Sequence, residues 1–240
     1  MTVAAADTLT WTGPPEVAPR GTLVVLPGRG EHPGIYERFG RRIAVDGYRV
    51  TAVADPVADA GRAASLVAAA LDGAPGPHVL VGSDTGALLA AALVADGRVP
   101  ADALVLAGLP AGPPGAPEPD GEVAARTACP THAARIAAPD GVRAGALAEP
   151  VPDGWLERAD PARIGVPVLG LHGAADAVAP LDAARAWYAR VPLAELVAVT
   201  GGRHDALNDA THRTAAASVV LFLERLRLGA DLPLIARVTR

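Results

Sequence analysis

The five residues Gly82-Ser83-Asp84-Thr85-Gly86 lie between the apolar run 78–81 and an alanine- and leucine-rich stretch over 87–95. A strand, a Gly-x-Asp-x-Gly turn and then a helix have the layout of a nucleophile elbow, which raises one side chain above the end of a parallel sheet. Glycine suits the two outer positions because the turn is too tight for larger neighbours and strains the central backbone. The raised side chain is Asp84, so the sequence predicts an enzyme scaffold. The alternative is that Asp84 only caps the helix.

The composition excludes several classes of protein. The chain has 240 residues, half of them apolar, which is enough for one large α/β domain. All 21 basic residues are arginine, and the absence of lysine excludes P-loop and Schiff-base chemistry. The formal net charge of -5 predicts neither a nucleic-acid nor an anionic membrane partner.

The cysteine, histidine and apolar patterns indicate the compartment of the protein and the ligands that it can bind. The single cysteine, Cys129, excludes an internal disulfide and favours a reducing cytoplasm. No segment has the pattern of a signal peptide or of a membrane span, so the sequence predicts a soluble cytoplasmic protein. The six histidines lack metal-ligand spacing, and neither a metal nor a cofactor is predicted. The oligomeric state is not readable from the sequence, and the predicted partner is a small-molecule substrate.

Short apolar runs alternate with alanine-rich segments that carry charges at helical spacing. This alternation predicts an α/β fold with a mostly parallel, doubly wound sheet of about six to eight strands. The predicted strands cover residues 21–26, 49–54, 78–82, 103–107, 166–171 and 194–199, with an edge strand over 8–11. The predicted helices cover residues 36–46, 60–71, 85–95, 181–190 and 206–226.

Prolines interrupt this alternation after residue 109. Proline cannot continue a helix or a central strand, so the chain must leave the sheet where Pro110, Pro113, Pro114, Pro117 and Pro119 occur. Short helices are predicted over 121–128 and 131–138. We expect residues 110–165 to form a small lid over the elbow, inserted between the core segments 1–109 and 166–240. The alternative is a surface excursion with no chemical role.

Two further loops at strand ends carry polar candidates. Asp176 lies in His-Gly-Ala-Ala-Asp after the strand over 166–171, and His204 lies in Gly-Gly-Arg-His-Asp after the last strand. Because ligands bind beyond the carboxyl ends of parallel strands, we expect both side chains near Asp84. The order Asp84, Asp176, His204 matches nucleophile, acid and histidine.

Each of these residues also has a structural interpretation. Asp176 can cap the helix that follows, and His204 can be a surface histidine. Asp205 is expected to cap the last helix. His132 either reaches the substrate from the predicted lid or lies at the surface, and the surface interpretation is favoured.

The chain resembles the α/β-hydrolase fold over almost its whole length. Residues 26–36, Leu-Pro-Gly-Arg-Gly-Glu-His-Pro-Gly-Ile-Tyr, are similar to the His-Gly-x-Gly-Glu-His-x-Gly-x-Tyr segment of the monoacylglycerol lipase and lysophospholipase branch. In that branch two backbone N–H groups form the oxyanion hole, and the matching positions are Arg29 and Thr85. The substrate-binding candidates beside them are Gly28 and Tyr36 of this segment and Trp155 of the predicted lid.

Aspartate at the elbow resembles the haloalkane dehalogenase and epoxide hydrolase branches. That resemblance implies attack by the Asp84 carboxylate on a saturated carbon, after which His204 activates water. The tyrosines with which epoxide hydrolases protonate oxygen have no counterpart in the predicted lid, and Thr85 stands where dehalogenases place tryptophan.

The expectation is therefore a cofactor-independent hydrolase acting on a small or medium organic molecule through an Asp-His-Asp site. Two alternatives stay open. In the first, the two carboxylates raise the pKa of His204 and the protein is a non-hydrolytic lyase, epimerase or cyclase of bacterial secondary metabolism. In the second, it is a catalytically silent binding relative.

Overall fold

A computed structural model describes residues 7–115 and 121–236, so Pro117 and Pro119 of the predicted loop lie outside the described residues. The strands are β1 Thr8–Trp11, β2 Thr22–Leu26, β3 Arg49–Val53, β4 His78–Ser83, β5 Ala103–Ala107, β6 Val168–Gly173 and β7 Ala194–Val199. They form one sheet in the order β1-β3-β2-β4-β5-β6-β7. Only the β1–β3 pair is antiparallel among these strands. The predicted mostly parallel sheet is confirmed.

Helices cover both faces of this sheet. They are α1 Glu37–Val45, α2 Ala60–Leu71, α3 Thr85–Ala95, α4 Glu122–Arg126, α5 Pro130–Ile136, α6 Trp155–Arg158, α7 Leu181–Tyr188 and α8 His212–Leu226. Alternate residues of a strand point to opposite faces: Val24 packs in the cluster with α2, α3 and α7, whereas Val25 packs in the cluster with α1 and α8. In the described parts of the chain, no helix is long and apolar enough to cross a membrane.

The turn between β4 and α3 has the predicted tight geometry. Asp84 has φ 50° and ψ -126°, a backbone conformation that non-glycine residues rarely adopt. A Cβ atom on Gly86 would lie 2.2 Å from the carbonyl oxygen of Leu26, and one on Gly82 would lie 2.3 Å from the Cα of Ala87. Both flanking positions therefore require glycine. The side chains of α3 are buried on almost every side, which fixes the elbow in the core.

Residues 110–165, called the insertion below, connect β5 to β6. The described part of the insertion contains α4, α5, α6 and two 3-10 turns, over Ala146–Ala148 and Pro161–Arg163. It contacts the loop after β2, because the N–H of Arg143 donates to the carbonyl of Gly30 at 2.9 Å. The chain therefore leaves the sheet where the prolines predict and returns over the loop that follows β2.

One predicted helix is wrong at its start. The helix predicted over 206–226 begins at His212, and residues 206–211 form turns. The Asp209 carboxylate explains this difference, since it accepts hydrogen bonds from the Thr127 hydroxyl at 2.8 Å and from the Ala128 and Arg203 N–H groups at 2.6 and 2.7 Å. These contacts with the α4–α5 junction hold the loop in a non-helical conformation.

Candidate active site

The three polar residues predicted at strand ends meet at the carboxyl edge of the sheet. His204 Nδ1 lies 2.8 Å from Asp176 Oδ2, and His204 Nε2 lies 3.4 Å from Asp84 Oδ1. The exposed fractions of Asp84, Asp176 and His204 are 1%, 8% and 1%. The imidazole is therefore a buried bridge between two carboxylates that are 92 residues apart in sequence.

The charges of this group follow from its geometry. Burial lowers the pKa of His204, but the charges and hydrogen bonds of Asp176 and Asp84 outweigh burial and raise that pKa to about 10. Burial raises the pKa of Asp84, but the contacts with His204 and Arg29 hold it well below its usual range. At neutral pH the bridge is an imidazolium between two carboxylates.

The loop after β6 fixes Asp176 independently of His204. Asp176 Oδ1 accepts from the N–H groups of Val178 and Ala179 at 2.8 and 2.9 Å. His172 Nε2 bonds the Ala179 carbonyl at 2.7 Å and lies 3.4 Å from Asp176 Oδ2. Burial lowers the pKa of His172, which favours its neutral form. Asp176 therefore presents its second oxygen to His204 from a rigid turn.

Arg29 contacts Asp84 through its backbone and through its side chain. The backbone N–H donates to Asp84 Oδ2 at 3.0 Å, so the predicted oxyanion donor is occupied here by the Asp84 carboxylate itself. In addition, Arg29 Nε donates to Oδ2 at 2.8 Å and Nη2 donates to Oδ1 at 2.9 Å. Arg29 Nη1 donates to the carbonyls of Leu147 and Glu149 in the insertion. A bidentate ion pair between Arg29 and Asp84 was not expected from the sequence.

A second buried arginine, Arg126, holds the loop that carries Arg29. Its role was also not expected from the sequence. The side chain of Arg126 is fully buried, with Nη2 donating to the Arg29 carbonyl at 2.8 Å and Nη1 donating to Glu31 Oε1 at 3.0 Å. The Arg126 carbonyl accepts from the N–H of Asp205, beside His204. Arg126 therefore connects the loops that carry Arg29 and His204. The only sequence signal for it is a single arginine in a short alanine-rich helix.

Gly28 and Tyr36, which were predicted to contact substrate, instead support the loop that carries Arg29. The N–H of Gly28 donates to Glu31 Oε2 at 2.9 Å, and the Tyr36 hydroxyl donates to the same carboxylate oxygen. Tyr36 is 1% exposed, and burial raises its pKa well above the usual value. Gly28 and Tyr36 thus shape the Arg29 loop, because their polar groups point to Glu31.

The remaining predicted residues near the elbow are also buried. Thr85 begins α3, and its hydroxyl has no hydrogen-bond partner within residues 7–115 and 121–236. Trp155 packs in the hydrophobic cluster beside α3, so the prediction that it faces substrate needs correction.

The Asp205 and His132 predictions are wrong, because Asp205 accepts from His132 Nε2 at 2.8 Å and His132 is buried. Thr211, not Asp205, is at the N-cap of α8. In the described ranges no group of three or more His, Cys, Asp or Glu side chains could hold a metal ion.

A cavity of about 570 Å³ lies between the insertion and the sheet edge. Its lining includes Arg29, Pro110, Leu147, Glu149, Leu156 and Val178, but not Asp84, Asp176 or His204. Arg29 is therefore the residue that contacts both the cavity and the Asp84 carboxylate. The walls are mainly apolar, which suits an organic ligand with a hydrocarbon body.

Comparison with solved structures agrees with this architecture. A monoacylglycerol lipase from Paleococcus ferrophilus superposes with a TM-score of 0.73 at 16% identity, covering 92% of this chain and 98% of that chain. The chain has the α/β-hydrolase fold. A soluble variant of the monoglyceride lipase of Saccharomyces cerevisiae shares this fold with a TM-score of 0.72 at 14% identity, covering 91% of each chain.

An esterase from Rhodococcus sp. ECU1013 has the same fold, with a TM-score of 0.62 at 22% identity, covering 91% of this chain and 95% of that chain. No protein-family model matches the sequence, and no curated protein matches it. The similarity to these lipases and this esterase therefore identifies the fold, while the chemistry must be argued from the residues of the site.

Proposed function

We propose that the protein is a hydrolase that acts on a small or medium organic molecule through Asp84, His204 and Asp176. The observation that carries this proposal is the imidazole held between two carboxylates, one of which stands on a strained elbow. Asp84 Oδ2 accepts from the backbone N–H of Arg29, whereas Oδ1 is the oxygen that lies beside His204 Nε2. In this scheme Oδ1 is the nucleophile.

In the first step, Asp84 Oδ1 attacks a saturated carbon and forms an ester bond as the bond from that carbon to its leaving oxygen breaks. The leaving oxygen takes the Nε2 proton of His204. Because the resting imidazole is already protonated, it supplies the acid that epoxide opening requires without a tyrosine in the insertion.

In the second step, the changed charge of Asp84 converts His204 from an acid into a base. The ester is neutral, so His204 has lost one of the two carboxylates that raised its pKa. Neutral His204 then takes a proton from water, and the hydroxide attacks Cγ of the ester. Collapse of the tetrahedral intermediate breaks the bond from Cγ to the substrate oxygen, which takes the remaining proton of the attacking hydroxide and leaves as the alcohol. The Asp84 carboxylate is restored beside a protonated imidazole.

The proton balance of this cycle favours an oxygen leaving group. An alkoxide takes up the proton that His204 holds at rest, and the attacking water returns it. A halide takes no proton, so His204 would have to release its own to solvent from a buried position before it could act as a base. An epoxide therefore fits the resting charges better than a haloalkane.

The composition supports a bacterial, cytoplasmic setting for this enzyme, because the basic residues are all arginine and there is a single cysteine. We assign the insertion the role of a lid, because its carbonyls at Leu147 and Glu149 bond the guanidinium that borders the cavity. It would exclude water from the ester and select the substrate.

A second candidate function is non-hydrolytic acid/base chemistry, and the Arg29 ion pair favours it. Both oxygens of Asp84 accept hydrogen bonds from Arg29, and a carboxylate engaged in this way is a weak nucleophile. In this alternative Asp84 only keeps His204 charged, and the Nε2 proton moves to and from the substrate without a covalent intermediate.

A single-turnover reaction in oxygen-18 water separates the two candidates. A panel of small epoxides, with haloalkanes and esters for comparison, is mixed with excess enzyme. The protein is then digested with trypsin, which cleaves this lysine-free chain only at arginine and yields the peptide 63–98 that contains Asp84. Tandem mass spectrometry locates the label within this peptide.

The hydrolytic proposal expects one oxygen-18 atom on the Asp84 side chain after one turnover, because water attacks Cγ of the ester. The matched control is Asp84→Asn, which should give neither conversion nor label. Conversion by the unaltered enzyme without label on Asp84 would refute covalent hydrolysis and support the acid/base candidate.

A further inference from the structure

The guanidinium of Arg29 stands between the cavity and the candidate nucleophile. It lines the cavity, whereas Asp84 does not, and it donates to both oxygens of the Asp84 carboxylate. Oδ2 accepts from the backbone and Nε of Arg29, and Oδ1 accepts from Nη2 and faces His204. A carboxylate has about four lone-pair positions, and here three accept hydrogen bonds from Arg29 while the fourth faces His204 Nε2 at 3.4 Å. Before the Asp84 carboxylate can attack a substrate in the cavity, the Arg29 guanidinium must leave it and bind another acceptor.

The exchange needs a replacement anion. Arg29 is 3% exposed, and the carbonyls of Leu147 and Glu149 hold its Nη1 at the cavity floor. A buried guanidinium that loses its carboxylate without another partner is strongly unfavourable. A carboxylate on the substrate offers the same planar, bidentate acceptor that Asp84 offers now. It can therefore take over the guanidinium and release Asp84 Oδ1.

The charges around the cavity are compatible with an entering carboxylate. Among the described residues that line the cavity, Arg29 is the only cation. The Glu149 carboxylate is paired with Arg143. Asp153 and Glu157 are exposed at the rim, where solvent and salt screen their charges.

We infer that the substrate is a small organic acid whose carboxylate replaces that of Asp84 on the Arg29 guanidinium. This inference rests on the proposed function and names its substrate class. Arg29 Nη2 and Asp84 Oδ1 are 2.9 Å apart, so the reacting carbon lies within one or two bonds of the substrate carboxylate. A 2,3-epoxycarboxylate meets this requirement, with the bonds made and broken as in the cycle above.

The test compares a 2,3-epoxycarboxylate with the corresponding neutral amide. The acid is expected to be hydrolysed with a kcat/KM about 100-fold higher, with oxygen-18 on Asp84 in both cases. Arg29→Gln should abolish this preference. The matched control is Arg41→Gln, which removes an exposed arginine of α1 outside the cavity lining and should keep the preference.

A binding measurement on the unaltered protein keeps the inference testable if Arg29→Gln does not fold. Propanoate is titrated into protein labelled at histidine, and the imidazole resonances of His204 are followed by NMR. Propanoate should shift them saturably because it separates Arg29 from Asp84, whereas propanamide should not.

The outcomes distinguish this inference from the proposed function. Equal hydrolysis of acid and amide with label on Asp84 would overturn the carboxylate requirement and leave the hydrolase proposal standing. Saturable propanoate binding without any label would support recognition of an organic acid and overturn the hydrolase proposal. Absence of both a preference and propanoate binding would overturn the inference.

Discussion

The charge of His204 should make the protein lose stability as the pH rises from 6.5 to 10. Two carboxylates raise the pKa of His204 from its ordinary 6.5 to about 10 in the folded state. A group whose pKa is higher when folded stabilises the fold fully below its unfolded pKa, and this contribution disappears as the pH rises through the folded pKa. At about 1.4 kcal/mol per pH unit, the loss reaches about 5 kcal/mol by pH 10.

Few other groups titrate between about pH 7.5 and 9, because His32, His172 and His212, whose pKa values are lowered in the folded protein, have already lost their protons there. The chain has no lysine, the group that normally titrates at about pH 10. Burial raises the pKa values of Tyr36 and Tyr188, and that of Tyr48 to about 12, so these tyrosines ionise first in the unfolded chain and lower stability only near pH 10. The hydrogen bond from Arg38 lowers the pKa of Cys129 against the effect of burial, and a Cys129→Ala background removes this thiol.

The assay is urea unfolding followed by tryptophan fluorescence in the Cys129→Ala background, at pH 7.5, 8.5 and 9.5. The folded state binds about one more proton than the unfolded state, so the free energy of unfolding should fall by about 1.4 kcal/mol at each step. His204→Gln should be less stable at pH 7.5 and should lose much less stability between pH 7.5 and 9.5. If both proteins show the same slope, His204 is not held as an imidazolium and the charge cycle proposed for it is refuted.

Three substitutions test the supports of the site by urea unfolding. Gly86→Ala should cost at least about 1–3 kcal/mol, because its Cβ would lie 2.2 Å from a buried carbonyl, whereas Gly165→Ala, in open space, should cost less than about 1 kcal/mol. Equal costs would contradict the tight turn. Arg126→Gln should cost about 3–5 kcal/mol by leaving Glu31 without its ion-pair partner, and Arg126→Lys should recover only part because an ammonium lacks the planar fork. Full recovery by lysine would show that charge alone matters there. Tyr36→Phe should cost about 1–3 kcal/mol through the lost hydrogen bond to Glu31, and an unchanged midpoint would rule out that bond as a support of the loop.

Local sequence patterns were enough to predict the framework of the fold. Each predicted strand is present within two residues of its expected bounds, because buried parallel strands read as short apolar runs. The approach of Asp84, Asp176 and His204 also followed from the order of loops at one edge of the sheet. Their chemical roles stay predictions that the oxygen-18 experiment tests.

Contacts between distant segments explain what the sequence could not predict. The Arg126 side chain reaches Arg29 and Glu31 only because the insertion folds back over the loop after β2. The same packing directs Asp209 to the α4–α5 junction and holds residues 206–211 in turns. Neither contact leaves a periodic pattern in the sequence, since each depends on the path of the insertion.

The burial of α3 limits where this protein can acquire new selectivity. Ten of its eleven residues are buried, so a change in side-chain volume there disturbs the sheet, the elbow and the neighbouring helices together. The cavity wall at 147–157 includes exposed and half-buried positions that tolerate replacement at a smaller energetic cost. Laboratory evolution toward other substrates should therefore accumulate its changes in this wall and leave the helix behind Asp84 intact.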